Sequence, residues 1–272
     1  MIYEILGSLR MMSEDGVCSF ISARKIECLL AVLLVRADQV VTRSQLIAEI
    51  WSDESPRRAK AGLHVYASQL RKFLCRIGNR NESQLLTRAP GYLLQLGDDE
   101  LDARAFARMV EEGNRHLRLG HPDHACLRFE NALALFRGPV LGDLVGGPII
   151  EGFVARMRES RLDCLEVLVD TQLELGRHRE LVGRLQSIVV ENPLREAFYY
   201  QLMLALYRSR RAADALVIFQ RVRAKLREEL DLEPGPHLQE LHRAILRGDQ
   251  RLDLLPRTQH RLGAVAAGRR SA

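Results

Sequence analysis

One stretch of this chain, residues 56–80 (PRRAKAGLHVYASQLRKFLCRIGNR), contains no acidic residue and seven basic ones: Arg57, Arg58, Lys60, Arg71, Lys72, Arg76 and Arg80. At about 100° per residue, Leu63, Tyr66, Ala67, Leu70, Phe73 and Leu74 gather on one side, which predicts an amphipathic helix docked on a core. The opposite side presents Arg58, Ala61, His64, Val65, Ser68, Gln69, Arg71 and Lys72. Arginine, lysine, glutamine and serine are the side chains that reach phosphates and base edges in the major groove of duplex DNA. A basic helix face is more often only a solvated surface, so the segments around it decide the matter.

Before this helix, residues 2–22 alternate weakly (Ile2, Tyr3, Ile5, Leu9, Met11, Val17, Phe20, Ile21) about an Asp15-Gly16 turn, predicting two or three short antiparallel strands. Ser22 is placed to cap a helix whose apolar positions Ile26, Leu29, Leu30, Leu33 and Leu34 recur at helical spacing as far as Arg36. Val40 and Val41 give one extended step. Thr42 then caps a short helix through Leu46, Ile47, Ile50 and Trp51, the polar SDESP stretch ends it, and Pro56 suits the first turn of the basic helix. After a polar loop at residues 79–83, Leu85, Leu86 and Thr87 face Tyr92, Leu93 and Leu94 across Arg88-Ala89-Pro90-Gly91, a hairpin with a Pro-Gly turn. Tyr92 and Trp51 read mainly as packing residues.

The stretch GDDELD, residues 97–102, marks a domain boundary, and residues 103–247 read as helical throughout. Three turns recur there, at Gly120, Gly176 and Arg210. Five residues on lie Ala125, Leu181 and Ala215; nine on, Phe129, Leu185 and Phe219; twelve on, Ala132, Ile188 and Val222; three before, Leu117, Leu173 and Tyr207. The second and third turns are 34 residues apart, the tetratricopeptide period, and a Gly/Pro-rich insert at residues 138–152 separates the first pair. The expected organisation is a domain over 1–97, a helical domain over 98–247 that folds alone, and a disordered tail over 248–272. The fold class is mainly α with a small β component.

Composition excludes several alternatives. With 47% hydrophobic and 28% charged residues over 272 positions, the chain is long enough for two cores. Five cysteines, widely spaced and never in a CxxC pair, argue against a disulfide framework or a cysteine zinc site. The longest apolar run, residues 29–35, is too short to span a bilayer and the first residues lack a signal-peptide pattern, so a cytoplasmic location without membrane contact is expected. Residues 1–97 carry 13 basic against 9 acidic side chains, residues 98–247 carry 22 against 24, and residues 248–272 carry 5 against 2, which makes the first part the anion-binding candidate. None of Lys25, Lys60, Lys72 and Lys225 follows a glycine, and no GxGxxG, GxSxG or HExxH occurs, so there is no phosphate loop, no catalytic centre and no expected cofactor. His116, His121 and His124 straddle a helical turn around Pro122 and read as exposed turn histidines rather than metal ligands.

The order of strands, helix, short strand, helix, basic helix and hairpin resembles the OmpR-type winged-helix domain. The residues that carry the likeness are Val41-Thr42-Arg43 before Leu46, Trp51, Gln69-Leu70-Arg71-Lys72 with Leu74, and Pro90-Gly91-Tyr92. With the helical half, the chain resembles the Streptomyces antibiotic regulatory protein family over residues 1–247. Carriers in the second half are Phe106, Ala132-Leu133, Leu135-Phe136-Arg137-Gly138, Leu175-Gly176-Arg177, Asn192-Pro193-Leu194-Arg195-Glu196, Ala205-Leu206-Tyr207-Arg208, Ala213-Asp214-Ala215-Leu216 and Glu233-Pro234-Gly235-Pro236. It departs from the family pattern at Phe136, where tryptophan is usual, at Arg210, where glycine is usual, and at Ala61-Gly62 inside the basic helix.

The resemblance implies a sequence-specific transcriptional activator of a specialised-metabolite gene cluster. Its partners would be double-stranded DNA bearing direct repeats, a second copy of the chain on that DNA, and RNA polymerase holoenzyme including its sigma factor. Thr42, Arg43, Arg57, Arg58, His64, Val65, Ser68, Arg71, Lys72 and Arg88 are the expected DNA-binding residues. A helical-repeat adaptor that no longer binds DNA is the alternative.

Overall fold

The computed structural model describes residues 1–13, 15–51, 56–77 and 84–253. The chain runs β1 (Ile2–Glu4), β2 (Arg10–Met12), β3 (Cys18–Ser19), α1 (Arg24–Val35), β4 (Val41–Thr42), α2 (Arg43–Trp51), α3 (Ala59–Ile77), β5 (Gln84–Arg88), β6 (Gly91–Gln95), β7 (Glu100–Leu101), α4 (Asp102–Arg118), α5 (Pro122–Ala134), α6 (Pro148–Glu174), α7 (His178–Glu191), α8 (Glu196–Arg208), α9 (Ala212–Leu230) and α10 (Pro236–Arg247), closing on a 3-10 turn at Gln250–Asp253. Two sheets form. One has the order β3-β2-β1-β7, with β7 parallel to β1; the other, β4-β6-β5, is antiparallel. Under them α1 is buried from Cys28 to Leu34, meeting Leu46 of α2 and Leu63 and Leu70 of α3 in one apolar core.

Several elements start elsewhere than the sequence suggests. Helix α1 begins after Ala23, whose carbonyl receives the Ile26 and Glu27 amides, and no side chain caps it, so Ser22 is not its cap. Pro56 precedes α3 by a turn in which its carbonyl accepts the Ala59 amide, which leaves Arg57 and Arg58 outside the helix. The GDDELD stretch is partly a strand. Residues 248–253 pack on the helices: Gly248 caps α10 in the left-handed region, Leu252 is buried, and the Arg208 guanidinium donates to the Leu252 carbonyl at 2.8 Å. Residues 254–272, the SDESP residues 52–55 and the polar loop at 79–83 lie outside the described residues.

The described chain divides into two compact units, the cut falling at Leu165/Glu166 within α6. Two buried carboxylates explain why the first unit extends so far. Asp102, 3% exposed, accepts the Ile5 and Leu6 amides at 2.9 Å and pairs with Arg137 at 3.2 Å. Burial pushes this carboxyl above its ordinary range, while the two amides and the Arg137 guanidinium pull it down. Glu49 of α2, also 3% exposed, accepts the Gly147 amide at 2.9 Å and the Ile149 amide at 2.6 Å, occupying donors that the first turn of α6 leaves unsatisfied. The segment between α5 and α6 is therefore tied to the chain just after β1 and to α2. Its Arg137 and Leu141 amides donate to the Leu6 and Ile5 carbonyls.

The repeat register read from the sequence reappears as one backbone motif. Gly120, Gly176 and Arg210 have φ of 76°, 77° and 63°, and each donates its amide to the residue three before it, Leu117, Leu173 and Tyr207. The next amides, His121, Arg177 and Arg211, return to His116, Gln172 and Leu206, which is the paired closure that ends a helix on a left-handed residue. All nine core positions counted from these turns are buried, from Ala125 to Val222. Arg210 adopts the glycine conformation without being glycine. Phe136 meets Phe106 edge to face at 5.1 Å.

Candidate nucleic-acid interface

A two-way cap fixes the start of α2: Thr42 Oγ1 accepts the Gln45 amide at 3.2 Å, and Gln45 Oε1 accepts the Thr42 amide at 3.0 Å. At its far end the Trp51 ring stacks on Tyr66 of α3, 5.7 Å between centroids, and the Lys25 ammonium lies over the Trp51 ring. Gly62 eases this contact, because a Cβ there would lie 3.3 Å from the indole and the ring would have to give slightly. The departure at Gly62 costs helix propensity, about 1 kcal/mol relative to alanine, and leaves room for α2 on α3.

Helix α3 buries Ala59, Leu63, Ala67, Leu70 and Leu74, and its exposed side carries Lys60, Ala61, His64, Val65, Ser68, Gln69, Lys72 and Arg76. Among the described residues neither Lys60 nor Lys72 meets a carboxylate within ion-pair distance. Val65, 52% exposed, is an apolar side chain left on a polar face, the type that meets a thymine methyl group.

The β5–β6 hairpin, the wing, packs beside α3. Gly91 is obligatory there: a Cβ would overlap the Val41 carbonyl and break the β4–β6 pairing. Two helix side chains are tied to this hairpin. Arg71 donates from Nε to the Leu85 carbonyl at 2.8 Å and from a terminal nitrogen to Thr87 Oγ1 at 2.7 Å, and its guanidinium lies over the Tyr92 ring. His64 Nδ1 lies 2.7 Å from the Tyr92 hydroxyl.

The structure thus sorts the ten expected residues. His64, Val65, Ser68 and Lys72 share the open face of α3; Arg57 and Arg58 are exposed just before it; Arg88 is exposed beside the hairpin turn. Thr42 is occupied by its cap. Arg43 is half-buried, its amide donating to the Pro90 carbonyl and its Nε without a hydrogen-bond partner among the described residues. Arg71 differs from expectation, since its guanidinium braces the wing instead of standing free. Tyr92 and Thr87 enter the site unforeseen, because alternation along a strand shows which face a residue takes but not its partner on another element.

Elsewhere, the rings of His116, His121 and His124 lie 5.5–6.4 Å apart, and among the described residues no group of three or more His, Cys, Asp or Glu is spaced to hold a metal ion. Burial, then the neighbouring His124, holds His116 below the ordinary imidazole range. Cys28 and Cys164 are buried, with thiols pushed up to about 12 by burial; Cys75 is exposed on α3. No helix among the described residues is long and apolar enough to cross a membrane.

Two family models match the chain, one on each side of residues 95–100. The family model described as "Transcriptional regulatory protein, C terminal" matches residues 22–94, and that of the "Bacterial transcriptional activator domain" matches residues 101–246. The chain is 38% identical to the regulatory protein DnrI of Streptomyces peucetius over 236 residues, covering 85% of this chain and 87% of that one. It is 33% identical to the regulatory protein AfsR of Streptomyces griseus over 250 residues, covering 92% of this chain and 25% of that one. A solved structure of Mycobacterium tuberculosis EmbR in complex with a low affinity phosphopeptide matches with a TM-score of 0.83 at 31% identity, covering 90% of this chain and 65% of that one.

Proposed function

The chain belongs to the Streptomyces antibiotic regulatory protein family of transcriptional regulators, and from that premise we propose that it is a pathway-specific activator of an antibiotic biosynthetic gene cluster. It binds double-stranded DNA at direct repeats near promoters and recruits RNA polymerase holoenzyme with its sigma factor, acting in the cytoplasm. The observation that carries this reading is the exposed, acid-free face of α3 beside an exposed wing. In it α3 enters the major groove with His64, Val65 and Ser68 toward base edges. Arg57, Arg58, Lys60 and Lys72 meet phosphates, the Arg43 side chain at the start of α2 meets a further phosphate, and Arg88 reaches the neighbouring backbone or minor groove. Arg71 holds the wing in place.

One recognition helix reads only about four to six base pairs, so promoter selection needs two copies. Residues 1–97 offer no long apolar heptad for a two-fold dimer, which favours head-to-tail copies on direct repeats spaced by about one helical turn. The test is a gel shift of the full chain on the promoters neighbouring its own gene. Cooperative binding that is lost on inserting about five base pairs between repeats, and partly regained at about ten, is the expected result. No shift on any promoter would turn the reading toward a helical-repeat adaptor, and an inverted-repeat footprint would reject the head-to-tail arrangement. Substitutions in the full chain serve better than truncation at Gly97, which would remove β7, Asp102 and the amides that Glu49 occupies.

A further inference from the structure

Tyr92 on β6 is 2% exposed, its ring lies under the Arg71 guanidinium, and its hydroxyl reaches His64 on the open face of α3. Packing accounts for the ring but not for the hydroxyl, since phenylalanine would fill nearly the same volume. We propose that Tyr92 is a specificity-positioning residue: by engaging His64 Nδ1 it fixes which imidazole nitrogen carries the proton and presents the other nitrogen to the DNA as a donor. This rests on the reading of α3 as the groove-facing helix.

A phenol is a stronger acid than the N–H of a neutral imidazole, and the bare imidazole nitrogen is a stronger acceptor than a phenol oxygen. The hydroxyl therefore donates to Nδ1 across the 2.7 Å contact. Neutral imidazole has one N–H, so with Nδ1 accepting, the proton sits on Nε2. Flipping the ring would forfeit the bond to Tyr92, so the orientation is held as well as the tautomer. An imidazole free to exchange tautomers accepts from amino groups as readily as it donates to carbonyls and ring nitrogens; the clasped one only donates. In the major groove cytosine presents an amino donor, whereas the guanine edge carries two acceptors, N7 and O6, and no donor. A lone N–H donor can also meet adenine N7 or thymine O4, but guanine, with two acceptors and no amino donor on its edge, is the base it fits best, and guanine is the base we place opposite His64. Arg71 serves the same end, since its bonds to Leu85 and Thr87 hold the strand pair from which Tyr92 projects.

Two measurements on the full chain test this. The first is the nitrogen NMR spectrum of histidine-labelled protein at about pH 8, well above the usual imidazole range, with His64 assigned by its loss in His64→Ala. The expected spectrum shows His64 protonated at Nε2 in the wild type and a mixture of tautomers in Tyr92→Phe. Wild-type protonation at Nδ1 overturns the proposal.

The second is binding to duplexes carrying each base pair in turn across the recognised site. Tyr92→Phe is expected to lower discrimination at one guanine position about tenfold, equivalent to about 1.4 kcal/mol. Affinity for scrambled DNA and its salt dependence should not move, and the substitution should add nothing in a His64→Ala background. A uniform loss on all sequences would mean that Tyr92 only packs the wing, and would overturn the proposal. Should His64→Ala lose discrimination while Tyr92→Phe keeps it, positioning fails and base reading by His64 stands. Should His64→Ala keep full discrimination, base reading by His64 fails and the proposal falls with it.

Discussion

Helices α3 and α9 are each 19 residues long, and each buries one apolar stripe beneath four basic side chains. They differ in what those charges meet. On α9, Arg223 pairs with Glu233 at 2.8 Å, Arg227 reaches the same carboxylate, and Lys225 pairs with Glu229 one turn on. On α3 no basic side chain meets a carboxylate among the described residues; Arg71 is held by neutral oxygens and Arg76 lies over the Phe73 ring. With three of its four cations paired, α9 has little to offer a polyanion, because most new phosphate contacts must first break a local one. A helix whose cations are unpaired gains by releasing the counterions of the DNA. Charge count alone does not separate the two helices; charge partnering does.

The two should behave alike where they are alike. Leu70→Ala on α3 and Leu226→Ala on α9 both remove a buried leucine from a packed stripe, and each is expected to cost about 2–5 kcal/mol in denaturant unfolding. A negligible loss at either site would show that its stripe is not core.

Giving α3 what α9 possesses should abolish the difference. Ser68→Glu places a carboxylate one turn before Lys72, at the spacing of Lys225 and Glu229 with the order of the charges reversed. Like charge against phosphate costs several kcal/mol, so DNA affinity should fall about a hundredfold or more. Stability should stay within about 0.5 kcal/mol, as for other surface substitutions. Unchanged affinity would remove this face from the interface.

The smallest effect belongs to α9. The hydrogen bond from Arg223, helped by Arg227, holds the Glu233 carboxyl below the usual glutamate range. A lowered folded value means that the pair stabilises the protein above the ordinary glutamate pKa and that this contribution vanishes as pH falls through the lowered one. Glu233→Gln should therefore melt slightly lower than wild type at pH 7, and the difference should close on acidification without any change in DNA binding. A difference that widens in acid would contradict the pairing.

Much of this was readable from residue patterns because local chemistry dictates it. The 3.6-residue spacing of Leu63, Ala67, Leu70 and Leu74 places the α3 stripe, Thr42 caps α2, and the turn residues Gly120, Gly176 and Arg210 close three helices in the same way. What escaped was long-range. No residue pattern marks Glu49, whose partners lie about a hundred residues on, at Gly147 and Ile149. Asp102 looked like part of a polar linker, yet it binds the Ile5 and Leu6 amides. Arg71 looked like a free cation because periodicity assigns a face and not a partner, and the wing carbonyl that accepts it belongs to another element. Buried polar contacts between distant segments leave no period in the sequence, and they set both the extent of the first compact unit and the geometry of the interface.

The claim that α3 is the DNA-binding element is tested most directly by the salt dependence of binding of the full chain to duplex DNA, wild type against Lys60→Ala/Lys72→Ala. The expected wild-type result is a steep linear fall of log affinity with log salt, with the slope reduced by about two units in the double variant. Arg223→Ala/Arg227→Ala on α9 should leave the slope unchanged. A wild-type affinity that does not respond to salt, or a double variant on α3 that binds like wild type, would contradict it.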